Sequence, residues 1–514
     1  MRSPATVEET VSIRQDSDTA DMTQRANSES NLRDEERGVA VAGEYRVYKR
    51  RFLGLIQLVL LNIVVSWDWL TFSAISTTSA EYFQVSEGAI NWMSTAFLFA
   101  FCFVSPITIF TLNKGGPKPA ILATSALILV GNWIRYAGTK ANGGIFGLAM
   151  LGQILIGFAQ PFCLSAPTRY SDLWFSDHGR TSATALATLA NPLGAAIGQL
   201  VDSAWATKPS DVPNMVLYIS IISTIATVPS IFLPAAPPTP PSASSQATAS
   251  RGPLRKEMSQ LFRTVEFYLI FVPFSVYVGF FNSVSSLLNQ ILSPYHFSET
   301  DAGIAGGILI IVGLIASAIV SPLTDRFKHY LGTIKILIPI VAASYIGLIF
   351  APSSPAGIAP SYVVCAILGA SSFSLLPVTL EYLVEITYPF SPEIGSTICW
   401  TGGQLLGAIF IIIQDALKAP SDAHPPYSMR NALIFSAVIS TVVVPLPLSL
   451  GLFGRKVRRR RLEADRGTYN NNDNHNHTII TGDNNGESSS SDANREEIIT
   501  SPATVNKPDD ENGR

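Results

Sequence analysis

Apolar runs long enough to cross a bilayer dominate this chain and leave it few architectures. A helix spanning the hydrocarbon core needs roughly 20 mostly apolar residues. Runs of that kind fall near 52–78, 88–112, 118–137, 143–168, 181–203 and 213–235. After an interruption they resume near 264–292, 300–323, 332–351, 358–385, 393–417 and 429–453. Within hydrocarbon every backbone N–H and C=O has to be satisfied inside the span, which excludes open sheets and lipid-facing loops. The expected fold is therefore all-α and polytopic, with twelve transmembrane helices in two six-helix bundles. Only 14% of the 514 residues are charged, where a soluble domain carries about 25%.

The interruption, "PAAPPTPPSASSQATASRGPLRKEMSQLFR", is rich in Pro, Ser and Ala and then basic, the composition of a hydrophilic linker. The expected organisation is a tail at 1–50, a bundle at 51–236, a linker at 237–263, a second bundle at 264–454 and a tail at 455–514. Both tails are polar and expected to be disordered. The first fifty residues hold no apolar stretch of the kind a secretory signal carries. Lys49, Arg50, Arg51, Lys114, Lys118, Arg251, Arg255, Lys256, Arg263, Arg326, Lys328 and "RKVRRRR" (455–461) fall on one side if the spans alternate. The positive-inside rule makes that side, and so both termini, cytoplasmic. Arg135, Lys140, Lys208 and Lys418 are exceptions to that asymmetry; Arg135 is expected to snorkel to the interface.

Several function classes fall away on composition. A net charge of −3 offers nothing to nucleic acid. Cys102, Cys163, Cys365 and Cys399 lie in apolar stretches without zinc or disulfide spacing and read as packing residues. The six histidines fall in tails and loops, with no metal-ligand pairing and no Ser/His/Asp set, so neither enzyme chemistry nor a cofactor is expected. The "HNH" of the C-terminal tail reads as polar solvated chain.

Six plus six spans invite a search for an internal repeat. "PLGAAI" in the fifth span aligns on "LLGAIF" in the eleventh, pairing Gly194 with Gly407, and "NKGGPK" after span two parallels "TDRFKH" after span eight. Two related halves around a central cavity are the layout of a rocking carrier.

The segments "DWLTFSAIS" (68–76), "INWMS" (90–94), "MLGQILIGFAQ" (150–160), "APTRYSDLWF" (166–175), "NPLGAAIG" (191–198), "SVSSLLNQIL" (283–292) and "LPVTLEYLVEITYP" (376–389) carry a resemblance to a known family. From about 50 to 455 the chain resembles the major facilitator superfamily. More narrowly, it is similar to the feline leukaemia virus subgroup C receptor-related family, whose members carry choline, ethanolamine or haem. The superfamily's loop motif is degenerate in the first half, with Asn113 where its Asp would stand; Asp325, Arg326 and Lys328 keep its polar core in the second.

The resemblance implies a binding site. Trp69 matches a tryptophan that faces the quaternary ammonium in choline-carrying relatives, and an aromatic face attracts a desolvated cation by about 2 kcal/mol or more. Phe72, three residues on, is expected on the same helical face. Gln160 and Gln404 match cavity glutamines, and Asn282 stands where the family has a tyrosine. Asn191 with Pro192 and Gly194 is expected either to bend the fifth helix toward the cavity or simply to pack. Asp68, where relatives tend to have glutamine, is an ionisable residue within a span and hence a functional candidate. It could neutralise a cationic substrate, carry a coupling proton, or hydrogen-bond a neighbouring helix. Arg169, Asn113, Asp325, Arg326, Glu381 and Glu385 are expected to form a cytoplasmic gating charge network. Trp67, Trp92 and Trp400 are expected to pack or to anchor at lipid.

The expected function is alternating-access transport of a small organic solute, choline- or ethanolamine-like, by a plasma-membrane protein that is a monomer. The alternatives are efflux of haem or a secondary metabolite and, in a different class, a receptor without flux.

Overall fold

The computed structural model describes residues 46–239, 258–259, 261–327, 329–387 and 392–450, with the side chains of 177–181, 325, 384, 385, 387, 392 and 393 outside that set. The expectations for the C-terminal tail, for most of the N-terminal tail and for most of the linker fall on residues outside it. Among the described residues, twelve helices are long and apolar enough to cross a membrane. The first six are α1 (Arg51–Leu70), α2 (Glu87–Gly115), α3 (Pro117–Lys140), α4 (Phe146–Trp174), α5 (Asp177–Trp205) and α6 (Val212–Thr227). The second six are α7 (Val265–Leu292), α8 (Glu299–Phe327), α9 (Tyr330–Phe350), α10 (Ala359–Thr387), α11 (Pro392–Ala416) and α12 (Arg430–Val443).

Local chemistry sets where these helices begin. Ser86 precedes α2 in an extended conformation, and its hydroxyl accepts the Ala89 N–H at 3.2 Å. "SETD" opens α8 as a reciprocal cap: Ser298 Oγ accepts the Asp301 N–H at 3.1 Å and Asp301 Oδ2 accepts the Ser298 N–H at 3.0 Å. Prolines stand inside α2, α4, α5, α7, α8, α9 and α10. Inside a membrane, neighbouring helices and Ser/Thr hydroxyls re-satisfy the carbonyls that such prolines free.

Helix pairing repeats with a period of six. In the first half α1 packs on α5, α2 on α4, α3 on α4 and α6; in the second α7 packs on α11, α8 on α10, α9 on α10 and α12. The two main seams between halves, α2 with α11 and α5 with α8, exchange under the same shift. Gly194 and Gly407 occupy corresponding crossings: a Cβ on Gly194 would run into the Ile63 backbone of α1, and one on Gly407 would lie 2.9 Å from Asn282 of α7. Small residues at these points let the helices approach closely.

The expected first span, 52–78, divides into two pieces. Helix α1 ends at Leu70, and a separate helix, Ser76–Phe83, follows a turn at 71–75. "LTFSAISTTS" explains the break, since its hydroxyls and β-branched residues favour local bonds over helix continuation.

Candidate functional site

A helix leaves its last four carbonyls without intrahelical partners, and the last four residues of α1 are buried. Each of the four is met. Thr71 Oγ1 donates to Trp67 O at 3.3 Å, and the Ala74 N–H donates to Leu70 O at 2.9 Å. Arg135 Nη1 of α3 donates to Asp68 O at 3.0 Å. Gln153 Nε2 of α4 donates to Asp68 O at 3.1 Å and to Trp69 O at 3.2 Å.

The same side chains engage the carboxylate that interrupts this greasy run. Arg135 Nη2 donates to Asp68 Oδ1 at 2.6 Å and to Asn132 Oδ1 at 2.7 Å, Asn132 Nδ2 donates to Asp68 Oδ2 at 2.7 Å, and Arg135 Nη1 donates to Gln153 Oε1 at 3.0 Å. Asp68, Arg135, Asn132 and Gln153 are all fully buried. A buried ion pair stands when further hydrogen bonds complete both partners, and removing one partner costs about 3–5 kcal/mol.

Three expectations change here. Asp68 turns its carboxylate to α3, which bonds both oxygens, as in the helix-bonding alternative. Arg135 does not snorkel, because the nearer counter-charge is Asp68. Phe72 does not share a face with Trp69: the helix ends between them, and its ring packs 5.8 Å from Phe83 and 5.7 Å from the Arg135 guanidinium.

Trp69 points elsewhere. Its indole is buried and stacked on Phe97 of α2, centroids 6.3 Å apart and planes 21° from parallel. The next residue of α2, Leu98, lies 3.3 Å from where a Gly407 Cβ would be, at the α2–α11 seam, and Asn282 is on the other side of that position. Asn282 Nδ2 donates to Gln404 Oε1 at 2.9 Å, joining α7 to α11. The Trp69 Nε1–H donor and the Gln160 Oε1 acceptor are among the buried polar atoms that meet no partner among the described residues. Asn191 on α5 is half-buried, its amide 3.5 Å from Asn62 O and Oδ1.

At the linker-side ends of the helices the expected gating residues lie apart in burial. Asn113, Arg326 and Glu381 are exposed and Arg169 is half-buried. Glu381 has an interaction partner, and the side chains of Asp325 and Glu385 lie outside the described residues.

At the opposite end a polar latch that the sequence did not suggest joins the halves. Glu299 Oε1 of α8 accepts the N–H groups of Thr77 and Thr78 at 3.0 and 3.1 Å, and Oε2 accepts Thr78 Oγ1 at 2.5 Å. An anion from the second half thus caps the free N-terminus of the helix that follows the α1 break. Asn289 Nδ2 of α7 reaches Glu299 Oε1 at 2.9 Å and Ser76 Oγ at 3.0 Å. Across the other seam, Lys418 pairs with Glu87. Asn91 donates to Asp415 at 2.8 Å, and Gln290 Nε2 donates to Asn91 Oδ1 at 2.7 Å. A cavity of about 230 Å³ lies over this latch, lined by Glu87, Gln290, Lys418 and Tyr427 among others.

Sequence reasoning passed over Asp202 of α5, whose fully buried carboxylate accepts the Trp67 indole N–H at 2.8 Å. It is an acid within a span, as conspicuous in "IGQLVDSAW" as Asp68 is in its own run. The latch residues carried no such signal, because they sit at helix ends, where polar residues are ordinary.

Twelve membrane-crossing helices in two equivalent halves, joined at one end by a polar latch, are the layout of a membrane solute carrier. The Major Facilitator Superfamily profile matches residues 58–411. "Solute carrier family 49 member A3" of Danio rerio is 29% identical over 444 residues, covering 83% of this chain and 92% of the relative. "Choline/ethanolamine transporter FLVCR1" of Felis catus is 30% identical over 413 residues, covering 77% of this chain and 72% of the relative. Among solved structures, the inward-open xylose transporter XylE from E. coli superposes with a TM-score of 0.60 at 13% identity, over 80% of this chain and 99% of that one; at that identity the likeness speaks for the fold. The chain belongs to the Major Facilitator Superfamily and, within it, to the feline leukaemia virus subgroup C receptor-related branch. It is an integral, multi-pass membrane transporter of small solutes.

Proposed function

We propose that the carrier moves a small hydroxylated ammonium compound of the choline or ethanolamine type. The pair of buried, unpartnered polar atoms carries this reading. The Trp69 indole N–H can only donate and the Gln160 carbonyl oxygen can only accept. A hydroxyl group does both, so a substrate O–H can serve either atom, and an ammonium can lie against an aromatic face. Since Arg135 neutralises Asp68, attraction for the cation rests on the indole and on amide dipoles rather than on a carboxylate. Relatives named as choline/ethanolamine transporters support the same substrate class. The departure at Asn282, which bonds Gln404, places an amide where the family has a second ring.

Transport follows from exchange between states. With the Glu299 and Lys418 latch made, the site is shut at the end away from the linker; breaking the latch exposes it there. The cytoplasmic charge network of Asn113, Arg169, Asp325, Arg326, Glu381 and Glu385 is proposed to lock the opposite end in turn. The bundles are taken as 51–236 and 264–454, joined by the linker at 237–263, with both termini cytoplasmic on the Lys/Arg asymmetry. The protein acts as a monomer in the plasma membrane, and its work is transport rather than catalysis.

The test is uptake of radiolabelled choline and ethanolamine by a transport-deficient host expressing wild type or Trp69→Ala at equal surface levels. Uptake of either compound that Trp69→Ala abolishes is the expected result. Uptake of neither, or uptake indifferent to Trp69, sinks the proposal.

A further inference from the structure

We propose that Asp202 is a proton-binding site of the carrier, holding one exchangeable proton on Oδ2. Its carboxyl group is fully buried within a span. The Trp67 indole N–H serves Oδ1 at 2.8 Å, while Oδ2 meets no donor among the described residues. Asp202 also lies in the last turn of α5, where its own carbonyl accepts the Ala206 N–H at 3.0 Å. A negative charge there faces the negative end of the helix dipole. One hydrogen bond does not replace the hydration of a carboxylate, and a buried ion in that position neutralises itself instead.

The charge count around it points the same way. Asp68 follows Trp67, the indole partner of Asp202, on α1, and it and Arg135 of α3 cancel each other in their ion pair. A second ionised acid would leave this fully buried cluster with one uncompensated negative charge; one proton on Asp202 leaves it neutral. On α8, Glu299 is bound to Thr77, Thr78 and Asn289, and Asp301 caps Ser298. On α4, Cys163 sits mid-helix, and Arg169, Tyr170 and Asp172 belong to the cytoplasmic end. Beyond α5, Asp211 accepts the Lys208 N–H in the connecting turn, and Tyr218 of α6 is reached only through the Trp205 ring at 5.6 Å. Among the described residues no other cation stands ready to replace the proton unless Arg135 leaves Asp68.

That exchange gives the proton a consequence. Arg135 also holds the Asp68 carbonyl at the end of α1, and its Nε–H is unpartnered. When the Oδ2–H bond breaks and its proton passes to water, the new anion competes with Asp68 for Arg135 and loosens the α1 break. The residues around Asp202 on α5 belong to the seam between halves: Gln199 Nε2 donates to Ser285 O of α7 at 2.7 Å, and Ser203 lies against Gly303 of α8. Protonation is thereby coupled to whether the outer seam stays closed.

Infrared difference spectroscopy of the reconstituted full chain across a pH series decides the assignment without reference to the transported solute. Wild type should show a pH-dependent carbonyl band of a protonated carboxylic acid. That band should shift in frequency in Trp67→Phe, which removes the indole donor and keeps the acid. It should vanish in Asp202→Asn and persist in Glu81→Gln, at an exposed acid outside the latch. A wild type without the band, or a band unchanged in Asp202→Asn, overturns the proposal. Coupling is read separately in proteoliposomes loaded with radiolabelled choline: a pH gradient should alter flux in wild type and not in Asp202→Asn, and equal pH sensitivity in the two refutes it. Absence of all choline flux would count against the substrate class alone, since the infrared result stands without it.

Discussion

Glu299→Gln tests the view that one carboxylate, reaching across from the second half, holds the end away from the linker closed. The side chain accepts four hydrogen bonds, from the Thr77 and Thr78 amides, the Thr78 hydroxyl and the Asn289 amide. Glutamine keeps the shape and one carbonyl oxygen but loses the charge. A hydrogen bond to a charged group contributes about 1.5–3 kcal/mol and a neutral one about 0.5–1.5, so the two backbone bonds together lose about 2 kcal/mol. The lost interaction with the helix dipole is about 0.5 kcal/mol at a half-exposed site. A total near 2.5 kcal/mol corresponds to about a 70-fold shift of the closed–open equilibrium toward opening. Hydrogen exchange at the Thr77 and Thr78 amides reports that opening, and both should exchange roughly 30- to 70-fold faster in the variant. Lys418→Met cuts the other seam and should speed the same two amides by a smaller factor. Exchange within about twofold of wild type in Glu299→Gln would show that these bonds do not limit opening, and the capping argument would fail.

Other consequences are quicker to state. Trp69→Phe retains a smaller aromatic face and should raise the half-saturating choline concentration, while Trp69→Ala should raise it by about 30-fold or abolish uptake, from a cation–π contribution of about 2 kcal/mol; equal uptake kinetics in all three would refute the assignment. Asp68→Leu or Arg135→Met alone should destabilise the detergent-solubilised protein by about 3–5 kcal/mol in thermal unfolding, whereas the double variant should recover part of that loss, because the uncompensated charge is gone. Gly194→Val should fail to yield monodisperse protein, since its side chain would displace the Ile63 backbone; a well-behaved variant would show that the α1–α5 crossing is looser than described.

The number of spans and their division into six and six were already determined by the order of apolar runs, because a bilayer admits so few ways of satisfying a backbone; the superfamily came from the resemblance of the motifs. The resemblance of the motifs also marked Trp69, Gln160, Asn282 and Gln404 before their packing was known. Side-chain partnership was decided only in three dimensions. Asp68 and Arg135 lie on different helices, 67 positions apart, and whether an acid meets a substrate or an arginine depends on the angle at which α1 and α3 cross. Phe72 parted from Trp69 because a helical spacing holds only while the helix continues, and α1 stops at Leu70. Glu299 became a cap for a helix 222 positions away only once the two halves had closed at that end. Hydrophobic patterning records which groups leave water; which polar groups then find one another is settled by helix packing.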